Sequence, residues 1–151
     1  MDDAIENFMT QSVHTIARKR TLAEAHATMR ELRVRHLPVV QAGKLVGLVS
    51  QRDLHLVETL PGVKAEEVFV EDAMSEDVFA VAPQTPLADV ARRMAKDRLG
   101  SAVVMKDGKV VGIFTATDAL FALDFLLTSP SVKHALHEAL IPSRDARSER
   151  S

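Results

Sequence analysis

The chain has 151 residues and carries 19 Lys+Arg against 21 Asp+Glu, a formal charge of −2. At 46% hydrophobic and 26% charged residues it has the composition of a soluble globular protein, which excludes wholesale disorder. The near-neutral charge excludes a basic field for holding nucleic acid or an anionic membrane. The lack of Cys excludes disulfides, thiolate nucleophiles, Cys-based zinc sites and Fe–S clusters. Met1-Asp2-Asp3 leads into no apolar run, so no signal peptide is expected. The stretch Ala119–Leu127, interrupted by Asp124, is too short to cross a bilayer. The expectation is a cytoplasmic protein built as one ordinary domain or as two small lobes sharing a core.

In chain order, Val13-His14-Thr15-Ile16 is a short β-prone run. Leu22–Arg33 follows as an amphipathic helix, with Leu22, Ala25, Met29 and Leu32 at helical spacing. Thr21 with Glu24 has the form of a capping box. Two strands, Leu37–Val40 and Lys44–Ser50, join through Ala42-Gly43, and a second helix opens at Gln51. Pro61-Gly62 begins a connection in which Lys64-Ala65-Glu66-Glu67 is expected to be solvated. The order then recurs. Val78-Phe79-Ala80-Val81 is β-prone, Leu87–Arg98 is amphipathic, and Thr85-Pro86 places a cap residue before a first-turn proline. Ala102–Met105 and Lys109–Thr115 join through Asp107-Gly108, a strong hairpin signal, and a helix opens at Ala116. Ser131–Leu140, after Ser129-Pro130, reads as an extra short helix, and 141–151 as a polar, frayed tail.

Sliding the chain along itself by 65 residues superimposes Met9 on Met74, Leu22 on Leu87, Gly43 on Gly108, Gly47 on Gly112 and Asp53 on Asp118. About 14 identities fall in about 49 ungapped positions, the mark of a duplicated unit. Each unit is a strand–helix–strand–strand–helix of about 50 residues, too small to be comfortable alone. Leu45–Val49 and Val110–Phe114 are apolar on both faces and need cover on two sides, which two copies packed about a pseudo-twofold supply. A strand that ends in Ser50 or Thr115 and runs straight into a helix sets a hydroxyl beside helix N-terminal amides, where an anion is favoured. Asp53 and Asp118, one turn on, suit a vicinal diol; the alternative is that Ser50 and Thr115 cap their helices and the acids favour the dipole.

The openings at Met9 and Met74, Leu37-Pro38-Val39-Val40, Gly47-Leu48-Val49-Ser50-Gln51-Arg52-Asp53 and Gly112-Ile113-Phe114-Thr115-Ala116-Thr117-Asp118 resemble CBS motifs, and the tandem pair resembles a Bateman module. The resemblance covers residues from about 5 to 125 and implies an α/β (α+β) fold of two β-α-β-β-α repeats. The expected layout is a first repeat over 5–60, a linker over 61–68, a second repeat over 69–128, a helix over 129–140 and a tail over 141–151. It implies a regulatory, non-enzymatic module that binds an adenosine nucleotide of AMP, ADP or ATP type between its repeats, with no covalent cofactor. It also implies frequent dimerisation. On this resemblance Asp53 and Asp118 accept from ribose hydroxyls, while Ser50 and Thr115 contact ribose or phosphate. Val13, His14, Thr15 and Ile16, with Val78, Phe79, Ala80 and Val81, wall the adenine. His36, Leu37, Pro38 and Arg52, with Ser101, Ala102 and Thr117, complete the expected binding residues. The alternatives are S-adenosylmethionine or NAD as ligand, or a dimerisation scaffold with vestigial clefts.

The two half-sites differ where charge matters. His36 corresponds to Ser101, Arg35 to Gly100, Arg52 to Thr117, and Arg18-Lys19-Arg20 to Pro83-Gln84-Thr85. Cations recognise phosphate, so the Asp53 half is expected to take the phosphorylated ligand. His134-x-x-His137 with Glu138 lacks a further ligand at matching spacing, and no metal site is expected. No nucleophile elbow, Walker loop or Gly-x-Gly-x-x-Gly supports catalysis. The Ala119–Leu127 helix is apolar nearly all round, which favours a homodimer, with a separate protein partner for the C-terminal helix or simple packing within the monomer as the alternatives.

Overall fold

The computed structural model describes residues 3–11 and 14–140. Among the described residues seven strands form two small sheets, and five α-helices accompany them in a mixed α+β fold. The strands are β1 (Thr10–Gln11), β2 (Ile16–Ala17), β3 (His36–Gln41), β4 (Lys44–Ser50), β5 (Ala80–Val81), β6 (Ser101–Lys106) and β7 (Lys109–Thr115). The helices are α1 (Leu22–Leu32), α2 (Gln51–Glu58), α3 (Leu87–Asp97), α4 (Ala116–Thr128) and α5 (Pro130–Leu140). The chain divides into two compact units after Thr115.

In the first unit each repeat makes the same three-stranded ladder, β2-β3-β4 and β5-β6-β7, and β1 adds a fourth strand to the second. β2 runs parallel to β3 with Ile16 opposite Val39, and β5 runs parallel to β6 with Ala80 opposite Val103. The hairpins β3–β4 and β6–β7 turn through Ala42-Gly43 and Asp107-Gly108, all four residues at positive φ, the geometry a two-residue turn needs to match strand twist. The β-prone runs are shorter than their composition suggests, since only Ile16–Ala17 and Ala80–Val81 find a ladder partner. Helices α1 and α3 both end on a left-handed residue, Arg33 and Arg98.

The starts of the helices correct two local expectations. Thr21 accepts from the Glu24 amide at 3.1 Å, but the Glu24 carboxylate goes to Arg20 instead of reaching back, so half a capping box forms. At α3 the cap position is Pro86 itself and no side chain caps it. Thr85 instead has its carbonyl accepting from the Ile5 amide at 2.8 Å.

That bond belongs to a reciprocal exchange that the repeat periodicity does not reveal. Residues 3–9 dock on the second repeat: the Leu87 amide donates to Asp3 O and the Glu6 amide to Pro83 O. Shifted by 65, residues 68–74 dock on the first repeat: the Leu22 amide donates to Val68 O, the Val70 amide to Arg20 O and the Glu71 amide to Arg18 O. Val70 is fully buried in a core with Ile16, Leu22, Ala25, Met29, Leu37, Val39, Val49 and Leu54. Its equivalent, Ile5, is also fully buried. The connection expected to be solvated is therefore partly structural. Lys64, Glu66 and Glu67 are exposed, but Ala65 packs on this core and its carbonyl takes the Ala23 amide, satisfying orphan donors of α1.

The exchange continues into the sheets. β1 adds antiparallel to β7, with Gln11 opposite Gly112, and Ser75 exchanges both backbone bonds with Leu48 at 2.9 Å. At both crossings the absence of a side chain on glycine leaves room for a methionine of the incoming segment. A Cβ on Gly47 would stand 2.5 Å from Met74 Sδ and 3.0 Å from Ser75 O, and one on Gly112 would overlap Met9 Sδ.

The second unit contains α4 and α5. Only Ala122 of α4 is buried, while Leu120, Phe121, Leu123, Phe125 and Leu127 are exposed. On α5 His134 pairs with Glu138 at 3.3 Å. Among the described residues no helix is long and apolar enough to cross a membrane, and no group of three or more His, Asp or Glu is disposed to hold a metal ion. The tail 141–151 lies outside the described residues.

Candidate functional site

A cleft of about 550 Å³ opens in the first unit, lined by Arg35, His36, Leu48, Ser50, Gln51, Arg52, Asp53, His55, Ser75, Gly100 and Ser101. Its position follows from the ladder. His36 opens β3 opposite Ser50, which ends β4, and Ser101 opens β6 opposite Thr115. The hairpins thus bring the start of one strand beside the end of the next, where the following helix begins. Arg35 and His36 share the cleft with Gly100 and Ser101, their equivalents in the second repeat.

Ser50 and Asp53 form a complete capping box: the Asp53 amide donates to Ser50 Oγ at 3.1 Å and the Ser50 amide to Asp53 Oδ2 at 2.9 Å. The capping and binding readings therefore coincide on the same two residues. The box holds the carboxylate rigidly and leaves Asp53 Oδ1 without a hydrogen bond among the described residues. The Gln51 amide is taken by Arg35 O at 2.8 Å, so of the first-turn donors the Arg52 amide is the one without a partner among the described residues. Neither the Arg35 nor the Arg52 guanidinium is paired with a carboxylate among those residues. Burial holds the His36 imidazole below its ordinary pKa; Asp53 pulls it up and Arg35 pushes it further down.

The cleft brings together His36, Ser50, Arg52, Asp53 and Ser101 of the residues expected from the sequence. Leu37, Pro38 and Ala102 are buried, as is Ile16 in the first core. His14 and Thr15 are exposed ahead of β2, and Val13 lies outside the described residues. Val78 and Phe79 precede β5, which holds Ala80 and Val81; the Arg93 guanidinium stacks over the Phe79 ring at 5.2 Å. Thr115 ends β7, and Thr117 and Asp118 stand in the first turn of α4.

The cations of Arg18-Lys19-Arg20 do not serve the cleft. Arg18 and Lys19 both bond Glu71, at 2.7 and 2.5 Å, and Arg20 bonds Glu24 at 3.0 Å. Charge complementarity to the exchanged segment claims them, and those bonds hold the Glu71 carboxyl below its usual range. Sequence reasoning missed Leu48, Gln51, His55, Ser75 and Gly100. The reciprocal bonding of Ser75 to Leu48 joins segments far apart in sequence, and no local pattern announces it.

Two like hairpin-bearing repeats whose residues share one cleft define a tandem-repeat module. A CBS domain profile matches residues 5–57 and 70–124, and the chain belongs to the CBS domain family. The inosine-5'-monophosphate dehydrogenase of Korarchaeum cryptofilum is 30% identical over 117 residues, 77% of this chain; the chain spans only 23% of that enzyme's length. Among solved structures, the AcuB protein of Vibrio cholerae is similar with a TM-score of 0.74 and 37% identity, over 84% of this chain and 94% of that one. The structure of CBSX2 in complex with AMP is similar with a TM-score of 0.71 and 25% identity, over 82% and 97%.

Proposed function

We propose that this chain is a regulatory module, not an enzyme, that binds an adenosine nucleotide of AMP, ADP or ATP type in the cleft beside α2. The observation that carries the reading is the pair of unpaired guanidiniums, Arg35 and Arg52, flanking the Ser50–Asp53 box. A phosphate meets Arg35, Arg52 and the Arg52 amide, and Asp53 Oδ1 accepts from a ribose hydroxyl. The AMP complex of CBSX2 supports the ligand class. A ligand that carries a sulfonium in place of phosphate meets like charge here and is disfavoured. The functional halves are residues 5–60 and 69–128, acting in the cytoplasm.

The assembly is a homodimer. Leu56 of α2 and Leu60, just past its end, are exposed, and the residues 65 positions on, Phe121 and Phe125 of α4, are exposed too. A duplicated unit that repeats the same apolar pair at i and i+4 twice presents two equivalent patches, which suits an isologous interface. The test of ligand class is a thermal-shift panel with AMP, ADP, ATP, S-adenosylmethionine and NAD. A ligand present at a hundredfold over its Kd stabilises the native state by about 2.7 kcal/mol. Stabilisation by the phosphorylated adenosines supports the reading; stabilisation by S-adenosylmethionine alone refutes it.

A further inference from the structure

His36 and His55 both line the cleft, but His36 is half-buried where His55 is exposed, and the His36 ring makes no hydrogen bond among the described residues. Its Nε2 lies 4.0 Å from the position a Cβ on Gly100 would take, so the ring reaches across to the second repeat. The second repeat has Ser101 at the equivalent position, so only one half of the duplicated unit carries this group.

The groups facing the ring come from three sides. Arg35 precedes it in the chain, and α2 presents Arg52, Asp53 and His55. Ser50 ends the neighbouring strand, and Gly100 and Ser101 add no charge. Burial disfavours an imidazolium here and Arg35 beside the ring adds to that, with Asp53 the opposing influence. A phosphate seated between Arg35 and Arg52 reverses that balance, because it brings a dianion next to the ring and gives the imidazolium N–H an acceptor.

Resting on the nucleotide reading above, we propose that phosphate binding in this cleft is proton-coupled: the ligand enters with uptake of one proton onto His36, which then donates to the phosphate. The module's affinity for nucleotide therefore rises as pH falls. By linkage the gain approaches tenfold per pH unit while the free imidazole is neutral and the bound one is charged.

The test is isothermal titration calorimetry of the full chain with AMP at pH 7.5, in several non-phosphate buffers of different ionisation enthalpy. At that pH a phosphate monoester is almost wholly dianionic, since its second pKa lies near 6. The expected result is net proton uptake approaching one per AMP, lost in His36→Gln and kept in His134→Gln on α5. Titration of the His36 ring proton by NMR in the wild-type chain, with and without AMP, reads the same event without a variant and is expected to show a higher pKa when AMP is bound. AMP binding without proton uptake, or with uptake unchanged in a folded His36→Gln protein, overturns the proposal and leaves the nucleotide reading standing. No binding of either AMP or ATP overturns both.

Discussion

The exchanged segments make a quantitative prediction, because residues at the opening of each repeat, Ile5 and Val70, are fully buried. Ile5 is fully buried, and its amide is fixed on Thr85 O at 2.8 Å. Ile5→Ala removes three buried carbons, worth about 2.4 kcal/mol at about 0.8 kcal/mol each, before any cavity term. Incomplete collapse of the site raises the expected loss to about 2–5 kcal/mol. Val70→Ala, at the equivalent position in the first core, removes two carbons and is expected to cost about 1.5–3 kcal/mol. A domain of this kind has only about 5–15 kcal/mol in total, so the Ile5 loss is a large share of it. Urea denaturation followed by far-ultraviolet circular dichroism reads both values. Glu6→Ala, one residue along and exposed, is the control and is expected to stay within about 0.5 kcal/mol. A loss below about 0.5 kcal/mol for Ile5→Ala would refute the exchanged arrangement, since an exposed side chain has little to lose.

Gly47→Ala is expected to destabilise by about 1–3 kcal/mol through overlap with Met74 and the Ser75 carbonyl. Combined with Met74→Ala the losses should be less than additive, and strict additivity in a double-mutant cycle would show that the two do not meet. Ser50→Ala removes the α2 cap and should cost about 0.5–2 kcal/mol in stability, whereas Arg52→Ala on the helix surface should stay within about 0.5 kcal/mol yet lower AMP affinity in calorimetry. The Glu71 carboxyl has a depressed pKa in the folded chain, so its contribution is present above the unfolded pKa and lost as pH falls through the folded one. An acid titration of stability should therefore be shallower in Glu71→Gln. His36 also has a lowered pKa, so the unfolded chain takes its proton first, and stability falls as pH drops below 6.5. His36→Gln should lose that part of the slope in the same titration. Leu56→Glu with Phe121→Glu should convert a dimer to a monomer by size-exclusion with light scattering, and a wild-type chain that is already monomeric at tens of micromolar would remove the interface.

Much of this protein was legible in its residues. The 65-residue offset, the two glycine-bearing hairpin turns and the Ser50–Asp53 spacing are local or periodic features, set by backbone sterics and by hydrogen bonds a few residues long. Such features need no knowledge of the partner surface, and they led to the paired sheets and to one wall of the cleft. Tertiary structure alone decided which segment completes which core. Ile5 and Val70 look interchangeable with any apolar residue near a boundary until the chain folds, and Glu71 captures Arg18 and Lys19 only once residues 68–74 lie across the first repeat. Long-range docking of this kind depends on shape and charge complementarity between surfaces that do not exist in the extended chain, so the cations that remain for the cleft, Arg35 and Arg52, are set by what folding uses elsewhere.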